Sequence, residues 1–191
     1  SLPMGRFHAI KGIEHLKGIR LIDQQPIGRT PRSNPITYLK AFDEIRQLFA
    51  GERDAQRQGL TPGHFSFNAA GGRCERCEGS GVEKLEMYFF EDIYAPCEVC
   101  EGKRFKAEIL KIRHQGKHIA DVLNLTVEEA VSFFSGTAKL QDKLQLLSSI
   151  GLGYLRLGQS ATTLSGGEAQ RLKIAAELRD SSAKDMLYIM D

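Results

Sequence analysis

The chain has 191 residues, of which 41% are hydrophobic, so it can bury a substantial core as one large domain or two small ones. Lysine and arginine total 26 against 24 acidic residues, a formal net charge of +2, and this balance gives no global indication of a nucleic-acid partner. No apolar run approaches the roughly 18 residues that a membrane-spanning helix needs, which predicts no membrane partner.

The first third of the chain predicts a strand, a loop and a helix. Residues 18–23 form an apolar run typical of a buried strand. Residues 24–35 contain three prolines and a glycine, which exclude a helix and predict a shaped loop. Asn34 before a proline is a helix start, and apolar residues at helical spacing predict one helix that ends at Gly51. Residues 64–68 are a candidate short strand.

All four cysteines stand in two Cys-x-x-Cys pairs, Cys74 with Cys77 and Cys97 with Cys100, each followed by Glu-Gly. Two such knuckles can direct four thiolates to one tetrahedral zinc ion, which would be structural because no ligand position stays open. The alternatives are two disulfides and a redox motif. We see no signal peptide and the chain is not small, which disfavours the disulfides; a redox motif explains only one pair. Reduced, metal-bound thiols predict a cytoplasmic location.

Basic side chains stand near both the loop and the knuckles. Arg29 and Arg32 lie in the predicted loop, and Arg73 and Arg76 flank the first Cys pair. All four are candidates for contacts with DNA phosphates. An equally good interpretation of Arg73 and Arg76 is that they offset the thiolate charge.

Strands are expected on both sides of the second knuckle. Residues 82–90 alternate partially and predict a strand between the Cys pairs. Residues 107–112 and 117–122 are expected to pair as a hairpin around a Gln-Gly turn. His114 and His118 would then be exposed strand residues, since the four cysteines already close a metal site.

The last third predicts helices. Thr126 and Glu129 form a capping box that opens a helix through Phe134. Leucines at helical spacing predict the next helix over 140–147, which Gly151 ends.

A further helix start has an unusual composition. Ser165 and Glu168 form another capping box, but Gly166 and Gly167 occupy its first turn, where each costs about 1 kcal/mol relative to alanine. Glycines there let another molecule approach the free N–H groups, and the positive helix end favours an anion. A plain capped helix with a flexible start is the alternative. Asp191 ends an apolar strand, a suitable place for a carboxylate that holds Mg²⁺ beside a nucleotide.

These segments resemble a known family. Leu-Ser-Gly-Gly-Glu at 164–168 resembles the signature motif of ABC-type ATPases, 187–191 resembles their Walker B strand, and Gln24 stands where they have the Q-loop glutamine. The order of four segments resembles the C-terminal nucleotide-binding half of the UvrA family, the damage-recognising ATPases of bacterial nucleotide excision repair. These segments are 23–35, the four-cysteine module, 151–159 and 165–171.

The resemblance implies an α/β fold: a partial ABC-ATPase core of the P-loop type, a helical signature subdomain and an inserted four-Cys zinc module. The expected division is 1–72 for the Q-loop strand and the start of the signature domain, 73–105 for the zinc insertion, and 106–191 for the signature helices and Walker B strand. The implied nucleotide contacts are Ser165, Gly166, Gly167 and Glu168, with Gln24 sensing the γ-phosphate and Asp191 supporting Mg²⁺.

For the intact protein the resemblance implies ATP and Mg²⁺ as cofactors and a role as an ATPase and excision nuclease subunit in the SOS response. The implied partners are lesion-containing double-stranded DNA, UvrB and a second copy of the protein. This sequence has neither a Gly-x4-Gly-Lys-Ser/Thr motif nor the catalytic glutamate after the Walker B aspartate, so the chain alone is expected not to hydrolyse ATP. Two other functions stay open. One is a zinc-stabilised binding module like the cysteine-rich module of DnaJ-type chaperones. The other is a transport ABC module, which normally lacks the zinc insertion.

Overall fold

The computed structural model describes residues 8–9, 11–87, 93–178 and 185–190. Strands and α-helices in these ranges are β1 Gly18–Ile22, α1 Pro35–Tyr38, α2 Phe42–Gly51, α3 Arg53–Arg57, β2 Val82–Leu85, β3 Ile93–Pro96, α4 Ala107–Leu110, α5 Ile119–Asn124, α6 Val127–Phe133, α7 Ala138–Leu147, α8 Gly166–Leu178 and β4 Met186–Met190. Short helical turns occur at Ile13–His15, Pro62–Phe65, Ser148–Leu152 and Ala161–Thr163. Within the described ranges, no helix has the length and apolarity to cross a membrane.

Strands β1 and β4 form a parallel pair although most of the chain separates them. The register runs from Gly18 opposite Met186 to Ile22 opposite Met190. Both strands therefore end at the same edge of the pair. Strands are confirmed at both predicted places, but the expected burial of β1 is wrong: Ile22 is buried, whereas Ile19 and Leu21 are exposed.

One hydrophobic core joins the helices. Phe42, Ile45 and Phe49 recur on one face of α2 and are buried. The ring of Phe42 stacks on Phe67, with centroids 4.8 Å apart, and the ring of Phe49 lies 5.5 Å from that of Phe65. Buried leucines of α7 and α8 continue the same core, so the predicted signature region and the segment before the knuckles form one packed body.

The four-cysteine module leaves this body as a β2–β3 antiparallel hairpin, with the first knuckle before β2 and the second knuckle after β3. Two backbone hydrogen bonds hold its base, from Cys74 N to Arg104 O at 2.8 Å and from Lys106 N to Gly72 O at 2.9 Å. Phe105 is buried in the main core. The module is thus tied to the body at both of its chain connections.

The prediction of a single helix up to Gly51 is wrong. The helix α1 ends at Tyr38, and Lys40 adopts a left-handed conformation with φ of 53°. This turn lets Leu39 and Ala41 both point into the core, after which α2 begins in a new direction. The short strand predicted at 64–68 is also wrong, since residues 62–65 form a 3-10 turn that the His64 side chain caps.

The hairpin predicted over 107–122 is wrong as well. Its two halves lie in α4 and α5, and only one bridge, His114 to Lys117, remains of the pairing. The His118 Nδ1 accepts a hydrogen bond from Asp121 N at 2.9 Å, and the Asp121 carboxylate accepts one from His118 N at 3.0 Å. This reciprocal cap starts α5, whose apolar residues then face the core at helical spacing.

Other predictions near these segments hold. Strand β2 covers the first half of 82–90, and residues 88–90 lie outside the described part of the chain. Thr126 and Glu129 exchange capping hydrogen bonds of 3.2 and 2.8 Å at the start of α6. The helix predicted over 140–147 lies within α7, and Gly151 turns the chain with φ of 75°.

Candidate metal and nucleotide sites

The four cysteine sulfurs converge on one point. The Sγ atoms of Cys74 and Cys97 are 4.0 Å apart, those of Cys77 and Cys100 are 3.7 Å apart, and all four lie within 4.8 Å of one another. Metal–sulfur bonds of about 2.3 Å in a tetrahedron place sulfurs about 3.8 Å apart. All four cysteines are buried, and the cluster could therefore hold a metal ion.

The two knuckles have the same backbone conformation as well as a similar sequence. The Glu-Gly dipeptides at 78–79 and 101–102 have φ values of 50° and 80° in the first knuckle and 51° and 79° in the second. In the first knuckle this turn directs the N–H of Gly81 to the Cys77 sulfur at 3.3 Å. Such N–H groups stabilise a thiolate.

The electrostatics of the cluster favour a bound cation. Burial raises the pKa of Cys100 to about 12 and also raises the pKa of Cys97. At Cys77 burial acts in the same direction, but hydrogen bonds from Gly81 N–H, the Cys100 thiol, Gly79 N–H and the Cys74 thiol together outweigh it, and the pKa is lowered. The four thiols cannot ionise together without a compensating positive charge, which a thiophilic metal ion would supply.

Three of the four candidate DNA-binding arginines lie against carboxylates of the module. Arg32 Nη1 lies 3.4 Å from the carbonyl oxygen of Glu78 and 3.9 Å from its carboxylate, and Arg73 Nη2 lies 4.0 Å from the same carboxylate. Arg76 pairs with Glu83 at 3.0 Å. Arg29 is exposed. The loop after β1 and the first knuckle are thus in direct contact.

A second contact joins the module to the loop before the signature motif. The Arg104 guanidinium lies over the Phe67 ring, 5.1 Å from its centroid, and Nη2 donates to Gly158 O at 3.1 Å. The sequence did not single out this residue for such a role, because both partners are distant along the chain.

The start of α8 has the capping box that the sequence predicts. Ser165 Oγ accepts a hydrogen bond from Glu168 N at 3.3 Å, and the Glu168 carboxylate accepts one from Ser165 N at 2.6 Å. The Tyr154 hydroxyl also donates to Glu168, and this bond is the main reason that the pKa of Glu168 is lowered. Ser165 and Gly167 are exposed, and a Cβ added at Gly167 would meet nothing within 4 Å. The first turn is therefore open to an approaching molecule.

The structure brings Gln24 to this helix start. A Cβ added at Gly166 would lie 2.9 Å from Gln24 Oε1 and 3.1 Å from Gln24 Cβ, so only glycine fits without displacing that side chain. Gln24 follows β1 at the edge where β4 also ends, with Met190 opposite Ile22. Asp191 itself lies outside the described residues.

Two residues of α8, to which the sequence assigned no such role, contact the end of β1 and the loop after it. Gln170 Nε2 donates to Ile22 O at 2.9 Å, and the Lys173 ammonium contacts Asp23 and Gln25. Gly166, Gln170 and Lys173 stand at i, i+4 and i+7, a spacing that places them on one helix face. That spacing is the signal that could have grouped them.

No family model matches the chain. The UvrABC system protein A of Clostridium perfringens is 56% identical over 191 residues, which are 100% of this chain and 20% of the relative. Its counterpart in Streptococcus pyogenes serotype M1 is 54% identical over 187 residues, 98% of this chain and 20% of that protein. This chain corresponds to a segment of UvrA. The crystal structure of UvrA2 from Deinococcus radiodurans matches with a TM-score of 0.90 and 50% identity, over 94% of this chain and 22% of that one.

The chain thus spans about a fifth of the length of the UvrA relatives that it matches. The predicted resemblance and the α/β class with a partial ABC-ATPase core are confirmed by these matches. The four-cysteine cluster at the predicted place agrees with the inserted metal module.

Proposed function

We propose that this chain is part of an ATP-dependent protein that recognises DNA damage in nucleotide excision repair. It would supply the Q-loop, the signature helix, the Walker B aspartate and the zinc module of one ABC unit. The open, capped start of α8 beside Gln24 supports this function most directly, because it offers free N–H donors at the sheet edge where nucleotides bind in α/β folds.

The proposed nucleotide contacts follow from that geometry. Ser165, Gly166 and Gly167 would donate hydrogen bonds to the γ-phosphate of an ATP held by the P-loop of another module. Glu168 keeps the helix start in shape through its hydrogen bond from Ser165 N. Gln24 would report the γ-phosphate, and Asp191 would support Mg²⁺. Since the sequence has no P-loop motif, the chain alone would not hydrolyse ATP.

We assign structural zinc to Cys74, Cys77, Cys97 and Cys100. Four buried thiolates are the ligand set typical of a closed zinc site, and such a site stabilises its module without taking part in chemistry. We propose to divide the chain into residues 1–72, 73–105 and 106–191. The contact of Arg32 with Glu78 supports a zinc module that responds to the Q-loop.

DNA, UvrB and a second copy of the intact protein are the proposed partners, and a cytoplasmic location stays a prediction. Arg29, Arg32, Arg73 and Arg76 would contact duplex phosphates, three of them by exchanging a carboxylate partner for a phosphate. Affinity for duplex DNA should then fall as salt rises, and fall less steeply when these arginines are replaced.

Replacing Ser165 by arginine in the intact protein tests this function. The bulky cation would block the open turn and remove a hydroxyl contact to phosphate, so we expect DNA-stimulated ATPase activity to fall at least about tenfold, the equivalent of one charge-assisted hydrogen bond. Ser135→Arg, at an exposed residue after α6, is the matched control and should keep activity.

Equal activity of the Ser165 and Ser135 variants would contradict the proposed nucleotide role of the α8 start. An intact protein that binds DNA and zinc but hydrolyses no ATP would instead support a zinc-stabilised binding module.

A further inference from the structure

We propose that Lys173 is a positioning residue for Gln24. Together with Gln170, it fixes the backbone on both sides of Gln24 to helix α8, and so holds this glutamine against Gly166 of the signature motif in the same chain. The contact itself stands on the structure alone, whereas its consequence for nucleotide use rests on the proposed function.

The ammonium of Lys173 meets three oxygens that flank Gln24. Nζ lies 3.1 Å from Asp23 O and 2.7 Å from Gln25 O, and it also pairs with the Asp23 carboxylate. An ammonium has three N–H donors, and these three acceptors match them. The Lys173 side chain is 19% exposed, so water competes little for the donors. The residues before and after Gln24 are therefore both tied to one atom.

The rest of the same helix face continues the contact along β1. Gln170 Nε2 donates to Ile22 O at 2.9 Å, and Gly166 leaves just enough room for the Gln24 side chain. One turn beyond Lys173, Glu177 accepts from Arg20 at 2.5 Å. Along α8, residue 166 thus contacts residue 24, and residue 170 contacts residue 22. Residue 173 contacts residues 23 and 25, and residue 177 contacts residue 20. Helix α8 runs along the strand and its loop, and any shift of Gln24 must move α8 or break the Lys173 contacts.

A surface ion pair alone would not explain this arrangement. Exposed pairs contribute little and tolerate many geometries. Here two of the three acceptors are backbone carbonyls, which fix the path of the chain rather than the position of a mobile carboxylate. The structure therefore assigns Lys173 an effect on where Gln24 lies, beyond any effect on overall stability.

The test compares Lys173→Met, Lys173→Arg and Lys139→Met in the intact protein. Methionine keeps the unbranched side chain up to the ε position and removes all three donors. Arginine restores donors, and Lys139 is an exposed lysine of α7 that serves as the control. Without nucleotide, amide exchange in residues 22–28 should rise at least about tenfold in Lys173→Met, and α2 and the zinc module should be unchanged. Lys173→Arg should recover part of the protection, and Lys139→Met should match the wild type.

One further variant and one titration separate the backbone contacts from the ion pair. Asp23→Asn keeps both carbonyl acceptors, so its exchange should rise less than that of Lys173→Met. The hydrogen bond from Lys173 holds the pKa of Asp23 below its ordinary value of 3.8. Carboxyl titration by NMR should therefore give a midpoint below 3.8 in the wild type and a higher one in Lys173→Met.

ATPase kinetics supply the readout that a purely structural role would leave unchanged. If Gln24 serves the reaction, Lys173→Met should lower kcat more than it raises KM, with partial recovery in Lys173→Arg. If amide exchange in residues 22–28 of Lys173→Met equals that of the Lys139→Met control, the proposal is overturned. A wild-type protein without ATPase activity would overturn the proposed function, while the exchange result would still decide whether Lys173 positions Gln24.

Discussion

Gly79 and Gly102 occupy the same place in the two knuckles, but their surroundings differ. Both are left-handed, with φ of 80° and 79°. A Cβ at Gly79 would lie 2.0 Å from Phe67 O, whereas a Cβ at Gly102 would meet nothing closer than 3.9 Å. The repeat in sequence therefore conceals an asymmetry: the first knuckle packs against the body at its glycine, and the second does not.

We expect Gly79→Ala and Gly102→Ala to differ in stability for this reason. Each should cost about 1–2 kcal/mol for a left-handed alanine. Gly79→Ala should cost about 1–3 kcal/mol more because the Phe67 carbonyl must move. Urea unfolding of the metal-loaded protein would measure both, and equal losses would contradict the packing difference.

Residues also differ in how far sequence could reveal their roles. The cysteines and the Ser165 cap are local patterns, so spacing alone located them. Lys173 and Arg104 act on partners that are far away in the chain, Asp23 and Gly158. Their roles depend on tertiary packing, and no local pattern could have revealed those partners.

At the scale of elements, the four-cysteine module has little internal structure besides its thiol cluster. It contains one four-residue strand pair, and isolated hairpins are marginal in water. The coordinated metal would therefore supply much of its folding free energy.

We expect chelation of the metal to remove amide-exchange protection from residues 73–105 while α2 and α7 keep theirs. Cys97→Ser should do the same in the presence of zinc. The helices serve as an internal control in the same exchange experiment, and unchanged protection of the module after chelation would show that its hairpin is stable without metal.

Elements were predictable where the signal was local. The strand β1 and the capped start of α6 follow from apolar runs and a Thr-Glu capping box. The region 107–122 was misread because isoleucines around a Gln-Gly turn look like a hairpin, and the cap of α5 is a histidine instead of the usual serine or threonine. The break at Lys40 could not be foreseen, since it serves the packing of Leu39 and Ala41 on the core.

At the scale of the whole molecule, the described residues leave one face of the parallel pair uncovered. Ile19 and Leu21 of β1 are 60% and 67% exposed, and their partners Leu187 and Ile189 are 42% and 47% exposed. Parallel sheets are normally covered on both faces. The chain spans about a fifth of its relatives, so we expect further segments of a longer protein to pack here.

The isolated chain should therefore self-associate through this face. Leu21→Lys places a charge at its centre and should shift sedimentation toward the monomer. Val99→Lys, at a single exposed apolar residue of the second knuckle, should not. A wild-type chain that stays monomeric at high concentration would show that the face is not adhesive.

The pairing of Gly18 with Met186 also bears on the order of folding. Closing a loop of this length costs about 4–5 kcal/mol in chain entropy. The cost falls only if the residues between the two strands are already compact, because the effective loop is then shorter. The contacts within the helices and the knuckles join residues that are closer together in the sequence, so these elements should form first. A growing polypeptide would then be able to assemble its four-thiol cluster well before the proposed nucleotide site is complete, because the last strand to be synthesised ends at the edge where that site is proposed.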